Sequence, residues 1–242
     1  MYTVKNTIRK IVRTRQWEFR RYDVDLSLDT YLWMHIEHYD INCVLDVGGR
    51  FGDYGFLLRE NGYKGEIISF EPVEANFRQL QQRCSADPAW HAYHLALGSE
   101  SGSAEINVSR STNYSSFLAP SAYGFEHDAG ICVDRTEVVP VKRLDEIVDE
   151  VTRHIAEPRI YLKMDTQGFD LSVLRGAKGC LDKVLALQSE LSMKALYEQM
   201  PDWTTALAEF NAAGYEVSAF FTVCRDSKMR LSEMDCVMVR SE

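Results

Sequence analysis

Asp46-Val47-Gly48-Gly49-Arg50-Phe51-Gly52 is the stretch whose reading decides the fold. It follows an apolar, β-prone run at 43–47 and opens a helix-prone run at 54–61. A glycine-rich turn in that place lets the backbone approach a ligand at the carboxyl edge of a parallel sheet. The next β-prone run, 66–70, ends at Glu71-Pro72, where a carboxylate accepts hydrogen bonds from a ribose diol.

Spacing separates the nucleotide classes. A dinucleotide fingerprint G-x-G-x-x-G starting at Gly48 or Gly49 meets Arg50 or Phe51 where its second glycine belongs, so it fails. A P-loop fails as well, because no G-K-[ST] follows. What stands is D-x-G-x-x-x-G with an acidic strand end after it. That pattern suits S-adenosylmethionine, which carries an amino acid and a ribose but no phosphate. Taken alone, the loop also reads as a plain tight turn between strand and helix.

Working outward, β-prone runs at 90–94, 160–164 and 184–188 alternate with helical segments at 73–84, 169–176 and 203–213. Alternation of this kind predicts an α/β fold of βαβ units around a parallel sheet. The runs at 215–221 and 235–240 read as a terminal antiparallel pair. Strands at 104–108 and 137–141 flank 109–135, a polar and aromatic stretch expected to be a structureless lid or binding loop. Residues 29–39 read as a helix before the first strand. The expected organisation is an N-terminal helical extension over 1–39, packed on a single domain over 40–242.

The 242 residues are 45% hydrophobic and 26% charged, which is ordinary globular usage. The net charge of −9 divides into +6 over residues 1–22 and −15 over the rest. An acidic body repels phosphate backbones, so no nucleic-acid partner is expected. Six cysteines lie far apart with no C-x-x-C, which argues against a zinc knuckle and for reduced thiols in the cytoplasm. There is no signal-peptide pattern, and no apolar run approaches the ~18 residues of a membrane span. In the basic arm, Val4, Ile8, Ile11 and Val12 recur at helical spacing. Three uses fit such a helix: packing on the body, contact with another subunit or cover for the active site, and contact with an anionic membrane surface.

Four segments, in order, resemble the FkbM-type family of S-adenosylmethionine-dependent methyltransferases. They are Val44-Leu45-Asp46-Val47-Gly48, Ser69-Phe70-Glu71-Pro72, Leu162-Lys163-Met164-Asp165-Thr166-Gln167-Gly168-Phe169-Asp170 and Leu174-Arg175-Gly176-Ala177. Ala96-Leu97-Gly98 and Glu190-Leu191-Ser192 match more weakly. The resemblance implies a class I methyltransferase (Rossmann-like) fold, with a seven-stranded, mostly parallel sheet whose last strand is antiparallel. It implies O-methylation of a hydroxyl on a sugar, glycan or polyketide-type molecule. By position it gives Asp46, Gly48, Gly49, Arg50 and Gly52 to the methionine end of S-adenosylmethionine, Glu71 and Pro72 to the ribose, and His94, Ala96 and Leu97 to the adenine. The family usually reads D-V-G-A-N-x-G, so Gly49 and Arg50 are departures.

Asp165 and Glu190 follow neighbouring strands and place two carboxylates at one edge. They are expected to serve as general base and hydroxyl binder for the acceptor; the alternative for Asp165 is a helix cap. Asn113, Ser115, Ser116 and Gln167 are the expected acceptor contacts, and His127 is a second candidate base. Lys163 is expected to snorkel or to pair with a carboxylate. No metal is expected, since no histidine cluster accompanies the two carboxylates. The [DNS]-P-P-[YFW] run of amino-group methyltransferases is absent, because Asp165-Thr166-Gln167-Gly168 occupies its place. Two other functions fit less of the sequence: a cofactor-binding module without catalysis, and a nicotinamide oxidoreductase.

Overall fold

The computed structural model describes residues 27–241. The expectations for the basic arm and the first part of the helical extension lie outside the described residues. Ser27 caps the helix Leu28–His38, the first among the described residues, whose Leu32 and Ile36 are buried against the sheet.

Ten strands follow: β1 Cys43–Val47, β2 Glu66–Phe70, β3 Trp90–Tyr93, β4 Ala96–Leu97, β5 Gly102–Ser109, β6 Val133–Lys142, β7 Ile160–Met164, β8 Val184–Ser192, β9 Tyr215–Arg225 and β10 Leu231–Arg240. Seven of them form one sheet in the order β3-β2-β1-β7-β8-β10-β9. β1, β2, β3, β7 and β8 run parallel, and β10 inserts antiparallel between β8 and β9. The expected class I methyltransferase sheet, with its antiparallel last strand, is present.

Every residue of β1 and β7 is buried, as central parallel strands covered on both faces should be, and their one charged residue each, Asp46 and Lys163, is buried as a pair. Alternate side chains serve opposite layers: Leu45 and Leu162 pack with Leu144, Leu174 and Phe210, whereas Val44 and Tyr161 pack with Leu32, Leu58 and Leu80. Chain order reverses between β1 and β7. At such a switch point the connections leave in opposite directions and open a crevice at the carboxyl ends of the strands.

The structure corrects the reading of 109–135. That stretch contains a 3₁₀ turn at Thr112–Tyr114, a short helix at Ala122–His127 and a second 3₁₀ turn at Ala129–Ile131, and β6 begins inside it. Ile131, Leu196 and Tyr197 give it a small core of its own, and bridges from Asn107 to Ser116 and from Pro120 to Tyr197 stitch it down. Strands β4, β6 and β5 form a separate three-stranded sheet beside it. The helix Leu144–Val151 is a further addition to the sequence reading.

Candidate functional site

The carboxyl ends of β1, β2, β7 and β8 open into a cavity of about 740 Å³, within the usual range for small-molecule sites. Its floor rests on a polar row that crosses four strands in register. Ser69 of β2 lies beside Asp46 of β1, Asp46 beside Lys163 of β7, and Lys163 beside Gln188 of β8. The Trp90 indole donates to Ser69 Oγ (3.1 Å), Ser69 donates to Asp46 Oδ2 (3.0 Å), and Lys163 Nζ donates to Asp46 Oδ1 (3.1 Å). Lys163 also lies 3.5 Å from Asp165. Burial works against its charge, but Asp46 and then Asp165 outweigh that and raise its pKa. Of the two expectations for Lys163, pairing is the one observed.

This row holds Asp46. Its carboxylate is fully buried, spends its oxygens on Ser69 and Lys163, and does not line the cavity. Gly52 also lies behind the wall, against Trp90 and Leu80. His94 turns away too: its Nε2 sits 3.0 Å from the Pro72 carbonyl and its ring stacks on Phe77. The remaining predicted residues line the cavity: Gly48, Gly49, Arg50, Glu71, Pro72, Ala96 and Leu97 at one end, with Asp165, Gln167, Glu190, Asn113, Ser115 and Ser116 along the rest.

Gly48 and Gly49 both donate to the Phe70 carbonyl (3.0 Å each), which fastens the turn to β2. Gly48 has φ +83°, and a Cβ there would lie 2.1 Å from the Asp165 carbonyl oxygen. The first glycine is therefore required by the approach of β7. Arg50 adopts φ +47° and donates its backbone N–H to Glu71 Oε2 at 2.8 Å. Its guanidinium lies over the Phe51 ring, 4.3 Å from the centroid. Glu71 Oε1 accepts from Val73 N (2.9 Å) and Asn76 Nδ2 (3.3 Å). Burial pushes the Glu71 carboxyl up to about 7, against these hydrogen bonds that favour its charge. Asn76, on the helix Glu74–Cys84, was not signalled by the sequence. It lines the cavity, and its Oδ1 is the buried side-chain polar atom left without a partner among the described residues.

At the other end, Gln167 donates its amide to Asp165 Oδ1 (3.0 Å) and to Glu190 Oε2 (3.1 Å), and its Oε1 lies 2.9 Å from the Tyr197 hydroxyl. Gln167 and Gly168 have φ +53° and +87°, a strained turn of the kind held at functional sites. Asp165 is no helix cap: the helix Asp170–Gly176 has Phe169 at its N-cap and no side-chain cap, while Asp170 Oδ1 accepts from Thr166 N (2.9 Å). Asp235 pairs in register directly across from Glu190, and Glu233 lies two residues before it on the same face of β10. Burial first, and then Asp165, Glu233 and Asp235, push the Glu190 carboxyl well above the usual range. Glu233, Asp235, Cys224 and His127 also line this end. For Glu233 and Asp235 the signal lay in the alternation of acids inside the apolar run Met234, Cys236, Val237. In the roof, Ser116 donates to the Gln167 carbonyl (2.8 Å) and Ser115 Oγ accepts from Ser109 N (3.2 Å), so both hydroxyls hold the loop in place.

Solved structures similar to this chain include a methyltransferase FkbM from Methylobacillus flagellatus KT, at 17% identity and TM-score 0.49, covering 83% of this chain and 44% of that one. An rRNA methylase from Streptococcus thermophilus matches at 9% identity and TM-score 0.44, over 87% of this chain and 96% of that one. Aeropyrum pernix fibrillarin, solved with bound S-adenosyl-L-methionine, matches at 10% identity and TM-score 0.44, over 82% and 66%. This chain thus spans less than half the length of the Methylobacillus chain. No curated protein matches it. Residues 46–217, from the first strand into β9, match the sequence model of the methyltransferase FkbM domain, and the chain belongs to that family.

Proposed function

We propose that the protein is an S-adenosylmethionine-dependent O-methyltransferase acting on a hydroxyl of a small polar molecule, of sugar or polyketide type. The observation that carries this reading is one cavity with two chemically different ends. One end holds the glycine turn with Glu71 and Asn76, and the other holds Asp165 and Glu190.

The first end fits the cofactor. A buried amide oxygen without a partner costs free energy until a donor reaches it, and a ribose hydroxyl is such a donor beside Glu71. When bound, S-adenosylmethionine supplies an electrophilic methyl group on a sulfonium centre. The residues of the chain then have to orient an acceptor hydroxyl and take its proton. Asp165 suits this task because its backbone abuts Gly48, which this reading assigns to the methionine end, and its side chain is half-exposed at the cavity. Gln167 holds Asp165 and Glu190 at a fixed separation. Glu190, whose carboxyl burial holds well above the usual carboxylate range, stands in the same Gln167 clamp and can hydrogen-bond the acceptor hydroxyl. Much of the rate comes from positioning, since the leaving group is good.

Calorimetric titration with S-adenosylmethionine tests the reading. One equivalent should bind, with the melting temperature raised; neither heat nor a thermal shift at millimolar cofactor would sink it.

A further inference from the structure

Cys224 and Glu233 are register partners on the antiparallel pair β9–β10, and Cys224 Sγ donates to Glu233 Oε2 at 3.2 Å. His127 closes the helix Ala122–His127 above them. The ligating atoms of these three residues, 106 positions apart in sequence at the widest, all lie within 4.8 Å of one another. Imidazole nitrogen, thiolate sulfur and carboxylate oxygen about a zinc ion sit about 3.3–3.6 Å apart when the bonds are 2.0–2.3 Å and tetrahedral. The observed spacing reaches that with side-chain adjustment alone.

We propose that His127, Cys224 and Glu233 form a mononuclear site for a borderline-soft divalent cation, zinc by its mixed donor set. Two ligands sit opposite each other on β9 and β10, where the pairing is bulged on both sides of Glu233, and the third comes from the roof. All three line the cavity, so the fourth position opens into it; three protein ligands with one open position is the arrangement of catalytic zinc rather than structural zinc. Charge points the same way. Asp165, Glu190, Glu233 and Asp235 crowd this end, while Lys163 is already paired with Asp46. If the methyl-transfer reading holds, the open position takes the acceptor's oxygen. The metal site itself stands independently of that reading. A second cluster, Glu66, His91 and His154, stands at the amino edge of the sheet with no thiol, and it serves as the control.

Titration of the full chain with Co²⁺, without S-adenosylmethionine, tests the site. One equivalent should bind, with a thiolate-to-cobalt band in the near ultraviolet and the intense visible bands of a four-coordinate ion, all removed by Zn²⁺. Cys224→Ser should abolish the near-ultraviolet band, and His127→Ala should weaken Co²⁺ binding at least about tenfold. His154→Ala should leave both signals intact. Should Cys224→Ser fail to fold, His127→Ala and His154→Ala still decide between the two clusters. Binding without the thiolate band, a band that survives Cys224→Ser, or signals lost in His154→Ala would each overturn the proposal. A chain that binds Co²⁺ here but no S-adenosylmethionine would retain the metal site and lose the methyl-transfer reading.

Discussion

Asp165 keeps one carboxylate oxygen near the Lys163 ammonium and the other on the Gln167 amide, while its side chain remains accessible to the cavity. Asp165→Asn preserves that shape and removes the proton acceptor. Turnover should fall by about 10²–10⁴-fold with cofactor affinity unchanged, which parallel kinetics and calorimetry would check. Unaltered turnover would move the base to Glu190. Glu71→Ala should act in the opposite sense, weakening cofactor binding by about 1–3 kcal/mol by leaving ribose hydroxyls and the Arg50 and Val73 amides without their acceptor. Calorimetry on the variant reads this directly. Glu71 was legible in the sequence because a strand end followed by proline announces its own position. For Asp46 the sequence did not reveal its partner: its carboxylate pairs with Lys163, 117 residues away, and register alone brings the two together. Asn76 is a polar residue on a helix, and nothing local says that its amide ends up buried.

At the scale of elements, the Leu174-Arg175-Gly176-Ala177 motif is explained by packing. A Cβ on Gly176 would lie 2.0 Å from the Gly98 carbonyl, where the helix Asp170–Gly176 meets the chain just after β4. Gly176→Ala should therefore destabilise the protein by about 1–3 kcal/mol through overpacking. Arg175→Ala removes only a half-exposed pair with Glu209 and should cost about 0–1 kcal/mol. Denaturant melts of the two variants side by side would check the contrast, and equal midpoints would remove the packing account. The parallel strands were readable because burial on both faces leaves continuous apolar runs. The helix Leu144–Val151 also carries a signal, with Leu144, Ile147, Val148 and Val151 at helical spacing. In the three-stranded sheet β5 and β6 were readable as strands, but their pairing and β4 were not, because β4 has two residues and β5 meets β6 across a long insertion.

Across the whole molecule, burial raises the pKa of Glu71, Asp170, Glu190 and Asp235 alike. A carboxyl with a raised folded pKa favours the folded state fully below its unfolded pKa and loses that advantage as pH rises through the folded value. For Glu71 the window runs from 4.5 to about 7, on the order of 3 kcal/mol. Stability should consequently fall between pH 5 and pH 8, and Glu71→Gln should flatten the fall. Urea titrations of both proteins at the two pH values would measure it, and identical slopes would exclude Glu71 as a source. Sequence alone was enough for the sheet, the glycine turn, Glu71 and Asp165 just past their strands, and the family, because period, turn chemistry and short motifs are local; Glu190, expected after its strand, lies inside β8. Only the tertiary structure decided which charges are spent on one another, which face the cavity, and that His127, Cys224 and Glu233 converge. Those outcomes depend on strand register and on how the roof folds back, and contacts across a hundred residues leave no local pattern.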